Sequence, residues 1–163
     1  MTVTLDSSEV AMAQVLATMR HNCTRMAGVQ NARMGGQSDY VTELEGMASE
    51  MAFCKACNLF PDMTIAPRSG GHDVEGRNGT KIDVKATKYQ QGHLLATMKK
   101  KRTDADYYVL LVGECPTYRI AGYASADDLL SEKNITDFGH GATYALPQSE
   151  LQTYKGANTK CQS

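Results

Sequence analysis

Between residue 8 and about residue 26, apolar side chains at Val10, Ala13, Leu16 with Ala17, and Met19 recur at the spacing of one helix face, and Ser7 or Ser8 stands where a cap belongs. The Gly35-Gly36 pair breaks that pattern. Ser38 or Asp39 then caps a second helix, which runs to about Leu59 and is stopped by Pro61. Beyond Pro61 the period shortens. Runs rich in Val, Ile and Tyr, separated by Gly, Asn and Pro, predict strands at 63–66, 72–75, 80–87, 107–113 and 118–124. Residues 93–102 stay open between a strand and a short helix, because Leu94, Leu95 and Met98 satisfy neither period. A helix at 126–132 and a short one after Pro147 complete the series. Helices followed by a meander of strands predict one α/β domain over 1–163, with its core at about 38–132 and an extra N-terminal helix at about 8–26.

Composition narrows this only a little. A chain of 163 residues, 42% hydrophobic and 21% charged, is expected to be a soluble globular protein with one core. No apolar run approaches the ~18 residues of a membrane span, and the opening residues carry no secretory signal pattern. Five cysteines cannot all pair, and two of them, Cys54 and Cys57, fall inside a helical pattern, so reduced thiols and a cytoplasmic location are expected. A zinc-stabilised binding domain would need a second Cys or His pair of matching spacing, which the sequence lacks, so these two cysteines read as small core residues.

Charge changes the picture more. The net charge is −1, yet residues 77–102 hold eight basic side chains (Arg77, Lys81, Lys85, Lys88, Lys99, Lys100, Lys101 and Arg102) against the single acid Asp83, a local excess of +7. The segments on either side each carry −4. A cationic window in a near-neutral chain suits a phosphate backbone as partner, and a solvated basic hairpin is the alternative.

Inside that window lies the candidate chemistry. Ile82, Val84 and Ala86 alternate with Asp83, Lys85 and Thr87, so a strand carries the polar three on one face. Charges in a central strand need partners or a ligand. The Asn78-Gly79 step signals a hairpin, and its register decides what Asp83 meets. A two-residue loop sets Val74 opposite Asp83. A three-residue loop, Arg77-Asn78-Gly79 with Gly79 left-handed, sets Asp73 there instead. The second register is expected, because only it lets two carboxylates ~5 Å apart share a cation. Oxygen-only ligands of this kind suit Mg²⁺ or Mn²⁺. Lys85, one pleat along, can then orient or deprotonate a water or steady a phosphate. On the second helix, Glu50 interrupts the apolar stripe of Gly46, Met47, Phe53, Cys54 and Cys57 and is expected to point at the two aspartates; a buried acid paired with an arginine is the alternative. Glu45, on roughly the opposite face, reads as surface, and Glu43 as an exposed acid near the helix end.

An acid on a helix, then an Asp, a short loop, and Asp83-Val-Lys85-Ala-Thr on the next strand resembles the PD-(D/E)xK nuclease superfamily, and in particular the small nucleases of bacteriophages. The resemblance covers about 43–124 and includes the strand Asp104-Ala-Asp-Tyr-Tyr-Val-Leu-Leu-Val112; Asp73 follows His72 where the superfamily often has Pro. It implies a restriction-endonuclease-like core, a central mixed β-sheet flanked by helices. It also implies phosphodiester hydrolysis with Mg²⁺ or Mn²⁺, the ion bound by Asp73 and Asp83, with Glu50 at a second ion or its water and Lys85 at the attacking water. Lys88, Gln90, Lys99, Lys100, Lys101 and Arg102 would contact nucleic acid, DNA first among substrates, and a phage-encoded enzyme would act in the host cytoplasm. A Holliday-junction resolvase of the same fold, working as a homodimer, and a non-catalytic nucleic-acid-binding domain are the competing readings.

Overall fold

A computed structural model describes residues 1–28, 39–66 and 71–154. The Gly35-Gly36 break and the Ser38 cap lie outside the described residues. Helix α1 (Ser7–Met26) follows strand β1 (Thr2–Thr4), and its cap is Asp6 rather than either serine. Asp6 Oδ1 accepts from the backbone N–H groups of Ser8 and Glu9 at 2.8 and 3.0 Å, while Glu9 Oε2 accepts from the Asp6 N–H at 2.7 Å. This reciprocal box satisfies donors that no helical turn reaches, a device worth about 1 kcal/mol.

Helix α2 (Asp39–Cys57) ends two residues before the expected Leu59. Asn58 turns left-handed (φ 53°), and the N–H groups of Asn58 and Leu59 reach back to the carbonyls of Lys55 and Cys54 at 3.3 and 2.9 Å. This local cap closes the helix before Pro61 can act.

The expected strand at 63–66 does not form. There the carbonyl of Thr64, like that of Asp62 beside it, accepts from the Arg20 guanidinium instead of a neighbouring strand.

The remaining elements are β2 (Val74–Glu75), β3 (Lys81–Thr87), β4 (Leu94–Thr97), β5 (Tyr107–Glu114), β6 (Thr117–Ser125), α3 (Ala126–Leu129), β7 (Ile135–Asp137) and β8 (Ala142–Leu146). The open segment 93–102 thus contains a strand, and the helices expected at 126–132 and after Pro147 shrink to α3 and to single 3-10 turns at Glu132–Asn134 and Gln148–Glu150. Two sheets result: a five-stranded one of order β1-β6-β5-β3-β2, parallel only between β3 and β5, and an antiparallel three-stranded one of order β4-β8-β7.

The chain is therefore α/β with a mixed central sheet, but α1 and α2 cover only one face of it. Ala13, Leu16 and Ala17 of α1 and Met47, Ala48, Met51, Phe53 and Cys54 of α2 pack there with Ile82, Val84, Val109 and Leu111. Helix α1 is part of this core rather than an appendage, and Tyr154 joins it from beyond the expected boundary at 132. The opposite face, with Tyr108, Leu110 and Val112, is covered by Leu94, Ala96 and Leu146 of the second sheet and by Leu129 of α3. No helix among the described residues is long and apolar enough to cross a membrane.

Candidate active site

The hairpin loop has three residues. Val74 pairs with Ile82 and Glu75 with Lys81, the Gly76 N–H donates to the Thr80 carbonyl at 2.8 Å, and Gly79 takes φ +81°. A residue with a side chain would be strained at Gly79, so the sequence fixes the loop where Asn78-Gly79 stands. This register carries Asp73 to Asp83. The Asp73 N–H donates to the Ile82 carbonyl at 2.9 Å, and Asp73 Oδ2 accepts from the Val84 N–H at 2.8 Å. Its carboxylate therefore lies along the strand edge, filling the place of a strand carbonyl, instead of standing on the face of the sheet.

Alternation decides what Asp83 faces. Ile82 and Val84 belong to the helix-side core, so Asp83 and Lys85 point away from α2, toward the second sheet. Asp83 is fully buried. The Lys85 ammonium lies against its Oδ1, and that of Lys100, from the turn after β4, lies 2.6 Å from its Oδ2. Neither oxygen accepts a hydrogen bond among the described residues, so the two ammonium contacts are ion pairs of poor angle. Lys100 also donates to the Gly71 carbonyl at 2.5 Å. Burial, and then the neighbouring Asp83 charge, push the Asp73 carboxyl above its ordinary value against the pull of Lys85, the Val84 N–H and Lys100.

Two residues enter that the sequence did not single out for this role. Lys100 read as one more surface cation of a run. Tyr108, the parallel neighbour of Asp83, read as a strand aromatic. Its hydroxyl is buried with no hydrogen-bond partner among the described residues, and burial together with the charges of Asp83, Asp104 and Asp73 raises its pKa. Only the paired tyrosines after Asp106 could have hinted at it. Asp106 has a local task, as its backbone and side chain bond the Lys81 backbone (both 2.8 Å) and lock β5 beside β3.

Glu50 is not brought into this group. It is buried, and Arg20 Nη1 pairs with its Oε2 at 3.1 Å, on the face of the sheet opposite Asp83. Among the described residues no three His, Cys, Asp or Glu side chains are grouped to hold a metal ion. The expected ligand set of Glu50, Asp73 and Asp83 is therefore not assembled, because strand alternation and α2 place its members on different faces. The pair Asp73 and Asp83 still suits a hard cation that keeps several waters, as Mg²⁺ does on one or two carboxylates. The unbonded buried oxygens of Asp83 are the observation that favours this fit. Glu45 and Glu43 also differ from expectation. Glu45 accepts from the Tyr118 hydroxyl at 2.7 Å and the Cys115 N–H at 3.2 Å, and Glu43 is buried. Cys54 and Cys57 are buried thiols; Cys57 Sγ lies 2.9 Å from the Tyr154 hydroxyl, and burial pushes the Cys54 thiol up to about 12.

No family model, curated protein or solved structure matches the chain.

The cationic window does not stay together. Lys99 and Lys101 are exposed beside the inward-turned Lys100, whereas Arg102 pairs with the exposed Asp127. Lys88, over the ring of Tyr89 at 5.7 Å, and Gln90 follow the far end of β3, about 15 Å from Asp83 at strand rise.

Proposed function

We propose that the chain is a divalent-metal-dependent phosphodiesterase acting on nucleic acid, a DNA endonuclease in its simplest form, with Asp73, Asp83 and Lys85 at the reacting centre. One observation carries the reading. Asp83 is fully buried, accepts no hydrogen bond among the described residues, and has a second carboxylate beside it and an ammonium against each oxygen. A buried carboxylate pair is costly, and its incomplete solvation makes sense where a cation and an anionic ligand complete it.

Mg²⁺ or Mn²⁺ held by Asp73 and Asp83 would supply the positive charge that stabilises a phosphate under attack. The chain's own residues do the rest. The Val84 N–H fixes one Asp73 oxygen and leaves the other for the ion. Lys85, one third exposed, offers hydrogen-bond donors to a water or to a phosphate oxygen at the mouth of the site. Lys99 and Lys101 on one side, and Lys88 with Gln90 further along, suit backbone phosphates on both sides of the cleaved bond. Glu50, held by Arg20, is left out of the ligand set.

The test is an assay with Mg²⁺, Mn²⁺ or EDTA on supercoiled plasmid, linear duplex, single strand and a four-way junction in parallel. Metal-dependent cleavage is expected. Cleavage of the junction alone points to the resolvase reading, and tight binding to all four without cleavage points to the binding domain.

A further inference from the structure

Lys100 comes from the turn that separates β4 from β5, in a run of four cations that otherwise face solvent or, in the case of Arg102, pair on the surface. It alone turns inward, with its side chain 18% exposed. Its ammonium touches two chain segments at once, Asp83 Oδ2 on β3 at 2.6 Å and the Gly71 carbonyl at 2.5 Å, just before Asp73. A carbonyl and a carboxylate on one small cation is also how an oxygen-ligated metal ion is held.

We propose that Lys100 is the resident counter-cation of this site: its ammonium holds the position on Asp83 that a divalent ion takes, so that metal binding and release of Lys100 are one event. The inference rests on the metal-dependent reading above. Two carboxylates face two ammoniums here, so the group is balanced without a metal. A divalent ion on Asp83 adds two positive charges to a buried pocket, at contact distance from the Lys100 ammonium. Like charges that close in a low-dielectric site repel strongly, so one of the two ammoniums gives way. Both lysines have the same flexible four-carbon stem, but the Lys85 backbone is held in β3 beside Asp83, whereas Lys100 comes from a turn between two exposed lysines and is the one with room to leave. Outside, it lies next to Lys99 and Lys101, where a phosphodiester would meet it.

The test uses Mn²⁺ alone, with no nucleic acid. Calorimetry on the wild type, Lys100→Met and Asp83→Asn should give an affinity about tenfold or more higher in Lys100→Met, in the range of ordinary coupling between sites, and little binding in Asp83→Asn. Equal or weaker binding by a folded Lys100→Met overturns the proposal. Because that variant leaves Asp83 with one counter-ion and can fail to fold, a second measurement uses the wild type. Acetic anhydride labelling read by peptide mass spectrometry should show Lys100 protected without metal and several-fold more reactive at saturating Mn²⁺, with Lys99 and Lys101 unchanged. Lys100 still protected in a Mn²⁺-bound protein that cleaves nucleic acid refutes this inference and leaves the nuclease reading standing. Absence of both Mn²⁺ binding and cleavage removes both.

Discussion

Two buried acids sit on opposite faces of the central sheet, and each has basic company, yet they are solved differently. Glu50 meets Arg20, whose guanidinium also reaches the carbonyls of Asp62 and Thr64 at 2.8 and 3.1 Å and the Asp62 carboxylate at 3.7 Å. That network ties α1, α2 and the 62–64 segment together with fixed, forked hydrogen bonds. Asp83 meets two lysines that touch it without hydrogen-bond geometry, and a second carboxylate whose proton affinity it raises. The first arrangement is closed and structural. The second is balanced in charge but incomplete in hydrogen bonding among the described residues, which is what the proposed exchange of ligands at Asp83 requires. Burial of an acid alone does not separate the two; the geometry of its partners does.

The strongest way to break the comparison is to remove one charged partner from each region. Lys85→Ala should lower metal-dependent cleavage by about 10²–10⁴-fold, the span of a positioned proton-transfer or charge-stabilising group, measured on folded protein because the variant leaves the buried Asp83 with Lys100 as its one lysine contact. Glu50→Gln should spare cleavage and cost stability alone. Leaving Arg20 without its buried charge partner should cost about 1–3 kcal/mol of stability in a denaturant titration, while the folded protein keeps cleavage within about tenfold. A stable Glu50→Gln that does not cleave would return Glu50 to the catalytic set.

A smaller effect sharpens the electrostatics of the Asp83 side. The Asp73 carboxyl is raised above 3.8 in the fold, so the native state binds its proton more tightly than the unfolded chain does. That contribution is present below the ordinary carboxyl range and is lost as pH rises through the raised folded value. Asp73→Asn keeps an acceptor for the Val84 N–H and carries no charge. In metal-free buffer it should melt higher than wild type at neutral pH, with the gap closing toward about pH 4. Parallel melting curves across that range would mean that Asp73 is not strained by its neighbour. Smallest of all is the outer charge. Lys99→Ala with Lys101→Ala should weaken binding on every sequence alike and reduce the slope of log affinity against log salt by roughly two. An unchanged slope assigns both lysines to solvent.

Much of the Asp83 side was legible because it is local. The alternation of residues 82–87 and the left-handed demand of Gly79 suffice to place Asp73 beside Asp83, since a hairpin of this length is determined by its own turn. The resting place of Asp73 along the strand edge was not legible, because it depends on the Val84 N–H being left without a strand partner. Glu50 was recognised as anomalous in its apolar stripe, but its partner Arg20 lies thirty residues away on another helix, a contact no period reveals. Lys100 looked identical to Lys99 and Lys101 in sequence; only the turn after β4 separates it. The second sheet escaped for a similar reason. Strands β7 and β8 are short and joined by a loop that contains Gly139 and Gly141; β8 is held by β4, and β7 by β8, rather than by any pattern of their own.

The central claim is that the buried carboxylate of Asp83, ion-paired but accepting no hydrogen bond among the described residues, is a cation-dependent reaction centre, and Asp83→Asn tests it most directly. The substitution conserves volume and removes one charge of a repelling pair, so the variant should fold. Initial cleavage rates for wild type and Asp83→Asn are to be compared at saturating Mg²⁺ on the substrate that the wild type cuts. The account predicts a loss of at least about a hundredfold, the lower bound for removal of a positioned catalytic group. A folded Asp83→Asn protein that cleaves at close to the wild-type rate would contradict it.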